Sequence, residues 1–179
     1  KGTLARLLAT ENLVVEHKAV STASFDVAKR VLILPIWNVK EVVYNLLVGH
    51  EVGHALFTPN DDKFDQFPCP KSYVNVTEDA RIEKLMKRKF PGLAKDFYGG
   101  YRQLHEDDFF SVKEINTATL KLIDRINLYF KLGANAFMPF TDDEALLRDK
   151  TGETETFQEA IDVAEEIYNF EKTKKESKP

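Results

Sequence analysis

The chain has 179 residues, of which 43% are hydrophobic and 30% charged, a composition typical of a folded domain that can bury its own core. Its 25 basic and 29 acidic side chains give a formal charge of −4, so no general basic field favours a nucleic-acid partner. No apolar run reaches the length of a membrane span, and the single cysteine excludes an internal disulfide. We therefore expect a globular protein of a reducing, cytoplasmic compartment, with neither nucleic acid nor membrane as partner.

The N-terminal part has the alternation of apolar and polar residues that is typical of short β-strands. This pattern covers residues 13–17, 23–27 and 30–35. Residues 26–29 are expected to form a hairpin between the last two strands, and Pro35 to end the third. The sequence thus predicts two or three strands in a small sheet.

Helical periodicity replaces this alternation from about residue 39 onwards. Helices are predicted for residues 39–57, 77–89, 93–104, 112–132 and 154–172. The second of these begins with Asn75 or Thr77 as the capping residue. We expect an α+β fold, with a small twisted sheet, a helix beneath it and a mainly helical C-terminal part.

The domain organisation follows from the same pattern. Residues 1–110 are expected to form the core that carries the chemistry, and residues 111–171 a helical C-terminal subdomain of the same unit. The last residues, 172–179, are charged and contribute nothing to a core, so a disordered tail or linker is expected there.

The segment His50-Glu51-Val52-Gly53-His54 matches H-E-x-x-H on a predicted helix. One helical turn places His50 and His54 on the same face, where two imidazoles can bind one Zn²⁺. Glu51 lies beside them, where its carboxylate can accept a proton from a zinc-activated water. Two histidines on a buried stripe can also be hydrogen-bonded core residues, but three matching residues within five favour a metal site with Glu51 as catalytic base.

A catalytic zinc needs a third protein ligand, and the next predicted helix offers Glu78 and Asp79. Both acids flank the apolar stripe of that helix at similar angles, so helical phase does not choose between them. Glu78 has the longer reach and is the first candidate, with Asp79 as the alternative. Acids in a first helical turn can also serve only the helix dipole.

Supporting residues are less sharply defined by the sequence. Glu83, one turn after Asp79, could orient a liganding histidine, and Asn75 lies near the same helix start. Tyr98, Tyr101 and His105 are the candidate donors for an oxyanion, although spacing singles out none of them.

The order of short strands, H-E-x-x-H helix and acidic helix resembles the gluzincin metallopeptidases, in which the second helix donates a glutamate. The segments at residues 9–12, 22–27, 30–32 and 49–56 are also similar to those of uncharacterised peptidase-like proteins of large tailed phages. The gluzincin pattern has an acid four residues after the ligand glutamate. Ile82 occupies that place after Glu78, whereas Glu83 occupies it after Asp79, so the third ligand stays open.

This resemblance implies a compact zincin-like fold, a Zn²⁺ cofactor and a protein or peptide substrate. It also implies that an edge strand before the motif helix, at Arg30, Val31, Leu32 and Ile33, binds an extended substrate by β-augmentation. Some of the similar phage proteins carry a von Willebrand A-type domain further along, so such a domain or another assembly partner is expected, in the cytoplasm of the host cell.

The sequence therefore predicts a zinc metallopeptidase that hydrolyses peptide bonds. One alternative is a zincin-like binding or scaffold module of a larger phage-encoded assembly, without peptidase activity. Another is a hydrolase that acts on a non-peptide amide, which the sequence does not separate from a peptidase. An intact Glu51 favours the enzyme, because a purely structural metal site needs ligands but no base.

Overall fold

A computed structural model of the chain describes residues 13–36, 40–61, 64–133 and 136–176. Three strands lie in this part of the chain, namely β1 (Val14–Lys18), β2 (Ser24–Asp26) and β3 (Val31–Pro35). The α-helices are α1 (Glu41–Phe57), α2 (Lys71–Lys89), α3 (Leu93–Glu106), α4 (Leu122–Leu132), α5 (Asp142–Gly152) and α6 (Phe157–Glu176). The fold is α+β, as expected from the sequence. None of these helices is long and apolar enough to cross a membrane.

Some sequence predictions fall on residues that the structure does not describe. These are the segment at residues 9–12 quoted for the phage resemblance, the start of the motif helix at Val39 and the last three residues of the expected tail. Residues 172–176 are described, and they continue α6 to Glu176 instead of forming a disordered tail. The ammonium groups of Lys172 and Lys174 lie over the rings of Tyr168 and Phe170, which favours the extra helical turn.

The chain divides into two compact units. The sheet unit comprises residues 1–60 and 82–107, and the helical unit comprises residues 61–81 and 108–179. The expected division at residue 110 is close to the second boundary, but residues 61–81 belong with the helical unit. Helix α2 runs unbroken through the boundary at residues 81 and 82.

The sheet has the strand order β1-β3-β2, with β1 parallel and β2 antiparallel to β3. The hairpin predicted at residues 26–29 is present, and the backbone N–H of Lys29 donates to Oδ1 of Asp26 at 2.9 Å. Because β3 is hydrogen-bonded on both sides, it has no open edge for an extended peptide. The assignment of Arg30, Val31, Leu32 and Ile33 as an edge strand for substrate is therefore wrong.

Helix α1 carries the H-E-x-x-H segment and packs closely against α3. A Cβ at Gly100 would lie 2.6 Å from Cβ of Leu46 and 3.0 Å from the backbone oxygen of Val42, so only glycine permits this approach. Leu93 and Phe97, which are buried, contact α1 at Gly49. The motif helix is thus held by a glycine-mediated helix contact inside the sheet unit.

The helical unit has its own apolar core, formed by α2, α4 and α6 together with the loop before α2. Its members are Cys69, Tyr73, Val74, Leu122, Ile123, Ile126, Ile161, Val163, Ala164 and Ile167. Helix α2 begins at Lys71, six residues before the predicted start, because Tyr73 and Val74 enter this core. Thr77 is therefore no capping residue, and its hydroxyl donates to the backbone oxygen of Ala160 at 2.8 Å.

The sequence also overestimated the length of α4. Its predicted range of 112–132 contains a short 3-10 turn, Thr117–Thr119, and the α-helix begins only at Leu122. Asn116 accounts for the interruption, since its side chain accepts a hydrogen bond from the backbone N–H of Ala118 and so competes with helical hydrogen bonding.

Candidate metal centre

The two histidines of the motif lie next to each other on α1. The ring centroids of His50 and His54 are 4.9 Å apart and the ring planes meet at 76°. Both side chains are half-buried, and so is Glu51 between them in the sequence. The helix thus presents two imidazoles side by side, as expected from their spacing of one turn.

Asp79 completes the candidate metal centre. One ligand atom from each of His50, His54 and Asp79 lies within 4.8 Å of the other two. Asp79 is one turn before Glu83 on the continuous helix α2, and Glu83 itself faces His50.

Glu78, the first candidate for the third ligand, has another partner. Both of its carboxylate oxygens accept hydrogen bonds from Arg81, at 2.5 Å from Nε and 2.8 Å from Nη2. Glu78 and Arg81 are only 2% and 4% exposed, and Arg81 also donates to the backbone oxygen of Glu155. Removing a carboxylate from a buried bidentate ion pair is costly, so the geometry favours Asp79, the alternative ligand.

The side chain of Thr58 holds the ring of His54 through its Nδ1 atom. Nδ1 of His54 and Oγ1 of Thr58 are 2.8 Å apart, a hydrogen-bond distance. Thr58 directly follows Phe57, the last residue of α1, and its backbone N–H donates to the backbone oxygen of His54. A metal ion at His54 would therefore be bound through Nε2, because Nδ1 is already engaged.

The carboxylate of Glu83 lies near Nδ1 of the other histidine, His50. Oε1 of Glu83 lies 3.9 Å from Nδ1 of His50, beyond hydrogen-bond distance but close enough for its negative charge to act on the imidazole. The same oxygen accepts a hydrogen bond from the hydroxyl of Tyr101 at 2.6 Å. Glu83 is thus placed where the sequence analysis expected an orienting carboxylate, one turn after Asp79.

The other predicted supporting residues are placed less favourably. Asn75 is exposed inside α2, so it does not cap that helix. Tyr98 is 55% exposed on α3, and the hydroxyl of Tyr101 is committed to Glu83. His105 lies one turn beyond Tyr101, close to Gln103, whose side chain bonds to Lys40 just before α1 begins. That position is at the opposite end of α1 from His54, so the geometry favours none of the three as an oxyanion donor.

Lys131 is a neighbour of the site that sequence reasoning missed. Its Nζ lies 3.4 Å from Oδ2 of Asp79, and each side chain is 17% exposed. The ammonium group thus pairs with one oxygen of the Asp79 carboxylate. No local sequence pattern connects Lys131 with Asp79, because the contact joins α4 to α2 across 52 positions of the chain.

Gly53, the fourth residue of the motif, permits the close approach of α2. A Cβ at Gly53 would lie 2.9 Å from both Cδ1 of Ile82 and Cγ of Met86. Ile82 and Met86 are fully buried. Because Glu83 lies between them on α2, the absence of a side chain at Gly53 brings the orienting carboxylate to His50.

The donor set fits zinc. Two imidazoles and one carboxylate form a common catalytic zinc site with one open position. Donors around a tetrahedral zinc ion lie about 3.3–3.6 Å apart, so ligand atoms within 4.8 Å of one another reach that spacing when the side chains rotate towards the ion. The same donors also hold Fe²⁺ in some proteins, which makes the identity of the metal a matter for measurement.

Comparisons with family models, with curated proteins and with solved structures give no significant match to this chain. The functional interpretation therefore depends on the geometry of the site and on the chemistry of its residues.

Proposed function

We propose that the chain is a zinc-dependent metallopeptidase, in which His50, His54 and Asp79 hold the metal and Glu51 is the general base. The observation that carries this proposal is the convergence of the three ligand atoms within 4.8 Å, next to a glutamate in the H-E-x-x-H position. A site for structure alone would need the ligands but not the base.

Zinc bound at these residues supplies Lewis acidity, which lowers the pKa of water and polarises a carbonyl group. The protein supplies the remaining steps through its own side chains. Glu51 follows His50 directly on α1, so its carboxylate projects beside the ligand row and not along it. In this mechanism Glu51 accepts the proton of the attacking water and donates it to the leaving amine.

Two further residues keep the histidines in place, and a third keeps Glu78 out of the ligand position. Thr58 fixes the ring of His54, and Glu83 faces Nδ1 of His50. Arg81 holds Glu78 away from the metal and leaves the ligand position to Asp79. Such partners matter for function because they determine which ring nitrogen faces the metal and how rigidly it is held.

The proposal is tested by measuring bound metal and peptide cleavage in the same samples. The matched variants are Asp79→Asn and Glu78→Gln, which remove one negative charge each from neighbouring positions. Elemental analysis should find one zinc per chain in the wild type and in Glu78→Gln, and much less in Asp79→Asn. A reversed result would restore Glu78 as the third ligand.

Activity is measured on a fluorescent, unfolded casein with added zinc, and on small non-peptide amides. The wild type should cleave the casein, and Glu51→Gln should bind zinc normally while losing cleavage by about 10²-fold or more. Zinc binding without cleavage of casein would favour the alternative of a binding or scaffold module. A wild-type protein that binds no metal after reconstitution would overturn the proposal.

A further inference from the structure

Tyr101 has a buried hydroxyl with a defined partner in the candidate metal centre. The residue is 7% exposed, and its hydroxyl donates to Oε1 of Glu83 at 2.6 Å. The adjacent Gly100 lies so close to Leu46 of α1 that the backbone of α3 cannot shift inward there. The position of the Tyr101 hydroxyl is therefore set by helix packing and not by a mobile side chain.

Glu83 depends on this hydroxyl. Its side chain is 6% exposed, so its carboxylate has little access to water, and a buried carboxylate needs hydrogen-bond donors. The oxygen that accepts from Tyr101 is the same Oε1 that lies 3.9 Å from Nδ1 of His50. A donor that fixes Oε1 thereby fixes the group that faces the imidazole.

We infer that Tyr101 is a positioning residue of the metal site, which acts through Glu83 to hold His50 in the orientation that binds the metal. The inference rests on the proposed function, since it takes His50 as a metal ligand. It replaces the sequence-based expectation of an oxyanion role for Tyr101, because its hydroxyl is already donated to Glu83.

The size of the effect follows from the distance of Tyr101 from the metal ligands. Direct partners of ligating histidines typically change metal affinity by about 10–100-fold when they are mutated. Tyr101 acts one step further away, so Tyr101→Phe should weaken zinc binding by about three- to tenfold. The phenylalanine ring keeps the packing and removes only the hydroxyl.

The experiment is a double-mutant cycle read out by zinc affinity, measured in competition with a chromophoric chelator. The proteins are the wild type, Tyr101→Phe, Glu83→Gln and the double variant, with Tyr129→Phe as a matched loss of a tyrosine hydroxyl elsewhere. Tyr101→Phe should weaken zinc binding in the wild-type background but have little effect once Glu83 is glutamine. Tyr129→Phe should bind zinc like the wild type. The absorption spectrum of bound Co²⁺ should shift in Tyr101→Phe and not in Tyr129→Phe.

The outcomes separate this inference from the proposed function. Equal effects of Tyr101→Phe in both backgrounds would indicate a merely structural role and overturn the inference, as would unchanged affinity in the wild-type background. In either case the metal site itself would stand. A wild-type protein that binds no zinc would overturn both the inference and the proposed function.

If Tyr101→Phe alone does not fold, the double variant is compared with Glu83→Gln, since removing the charge together with its donor leaves no buried carboxylate unpaired. A difference in zinc affinity between these two would overturn the inference.

Discussion

Gly53 lies so close to Met86 that a Cβ on the glycine would be 2.9 Å from Cγ of the methionine. Cδ1 of Ile82 would be equally close, and both side chains are fully buried. Non-bonded carbon atoms do not approach to this distance, so a side chain at Gly53 forces Ile82 and Met86, or the two helices that carry these residues, to shift. Gly53, which lies between the two motif histidines in the sequence, is thus the contact point for the helix that carries Asp79 and Glu83.

We predict that Gly53→Ala lowers the free energy of unfolding by about 1–3 kcal/mol, the usual cost of overpacking a core. It should also weaken zinc binding, because separation of the helices moves both carboxylates away from the histidines. Urea denaturation and zinc titration measure the two effects. Gly92→Ala is the control and should change neither quantity appreciably. Gly92 has φ of −62°, and a Cβ added there would meet no other described atom within 4 Å. Wild-type stability in Gly53→Ala would contradict the close contact.

The parts of the fold that the sequence predicted well depend on local patterns. The motif helix and the hairpin at residues 26–29 were found because periodicity and turn residues act over a few positions. The start of α2 was missed, because Tyr73 and Val74 are drawn into a helix by a core formed with distant residues. Tertiary packing overrides a local capping signal in such cases.

The candidate site shows the same division between local and distant information. The spacing of His50 and His54 was readable, and so was the pairing of Asp79 with Glu83 one turn later. No sequence pattern indicated that the guanidinium of Arg81, three residues after Glu78, would occupy both oxygens of Glu78. Lys131 could not be found from the sequence, since only the fold brings it to Asp79.

Arg30 provides a second prediction, about the attachment of the sheet to the motif helix. Its backbone has φ of 57°, which is strained for a residue with a side chain. Its guanidinium donates to the backbone oxygen of Ala55 at 2.8 Å and lies 5.1 Å from the ring centroid of Phe25. Arg30→Ala keeps the strain and loses both contacts, whereas Arg30→Gly loses the contacts and relieves the strain.

We therefore expect Arg30→Ala to lose about 1–2 kcal/mol of unfolding free energy, and Arg30→Gly to be more stable than Arg30→Ala by about 1 kcal/mol. Glycine normally destabilises a folded chain relative to alanine, so this reversed order is diagnostic. Urea denaturation of the three proteins under identical conditions gives the comparison. An alanine variant more stable than the glycine variant would show that the backbone at residue 30 is not strained.

Lys131 gives a third prediction, about metal affinity. Its ammonium group lies 3.4 Å from Oδ2 of Asp79, and a zinc ion bound by Asp79 would bring a second positive charge close to it. Lys131→Met keeps most of the apolar length of the side chain and removes the charge, so zinc should bind about three- to tenfold more tightly. Lys150→Met is the control for the change in net charge, because Lys150 pairs with Glu166 on the surface. Weaker binding in Lys131→Met would mean that the lysine orients Asp79 more than it opposes the metal.

Glu144 gives the last prediction, about the dependence of stability on pH. Two hydrogen bonds from Arg125, at 3.0 and 2.6 Å, lower the pKa of the Glu144 carboxyl to about 2, against the opposing effect of burial. The backbone N–H of Thr141 adds a third hydrogen bond to the same carboxylate. Because this pKa is lower in the folded than in the unfolded chain, stabilisation by Glu144 is complete above the ordinary pKa of 4.5 and is lost as the pH falls towards 2.

Glu144→Gln should therefore be less stable than the wild type by about 1–3 kcal/mol at pH 7, and the difference should shrink steadily between about pH 5 and pH 2.5. Chemical denaturation across this range measures the difference, with Glu166→Gln as an exposed control whose difference from the wild type stays small throughout. A difference for Glu144→Gln that does not change with pH would show that the carboxyl is not held in its charged form by Arg125.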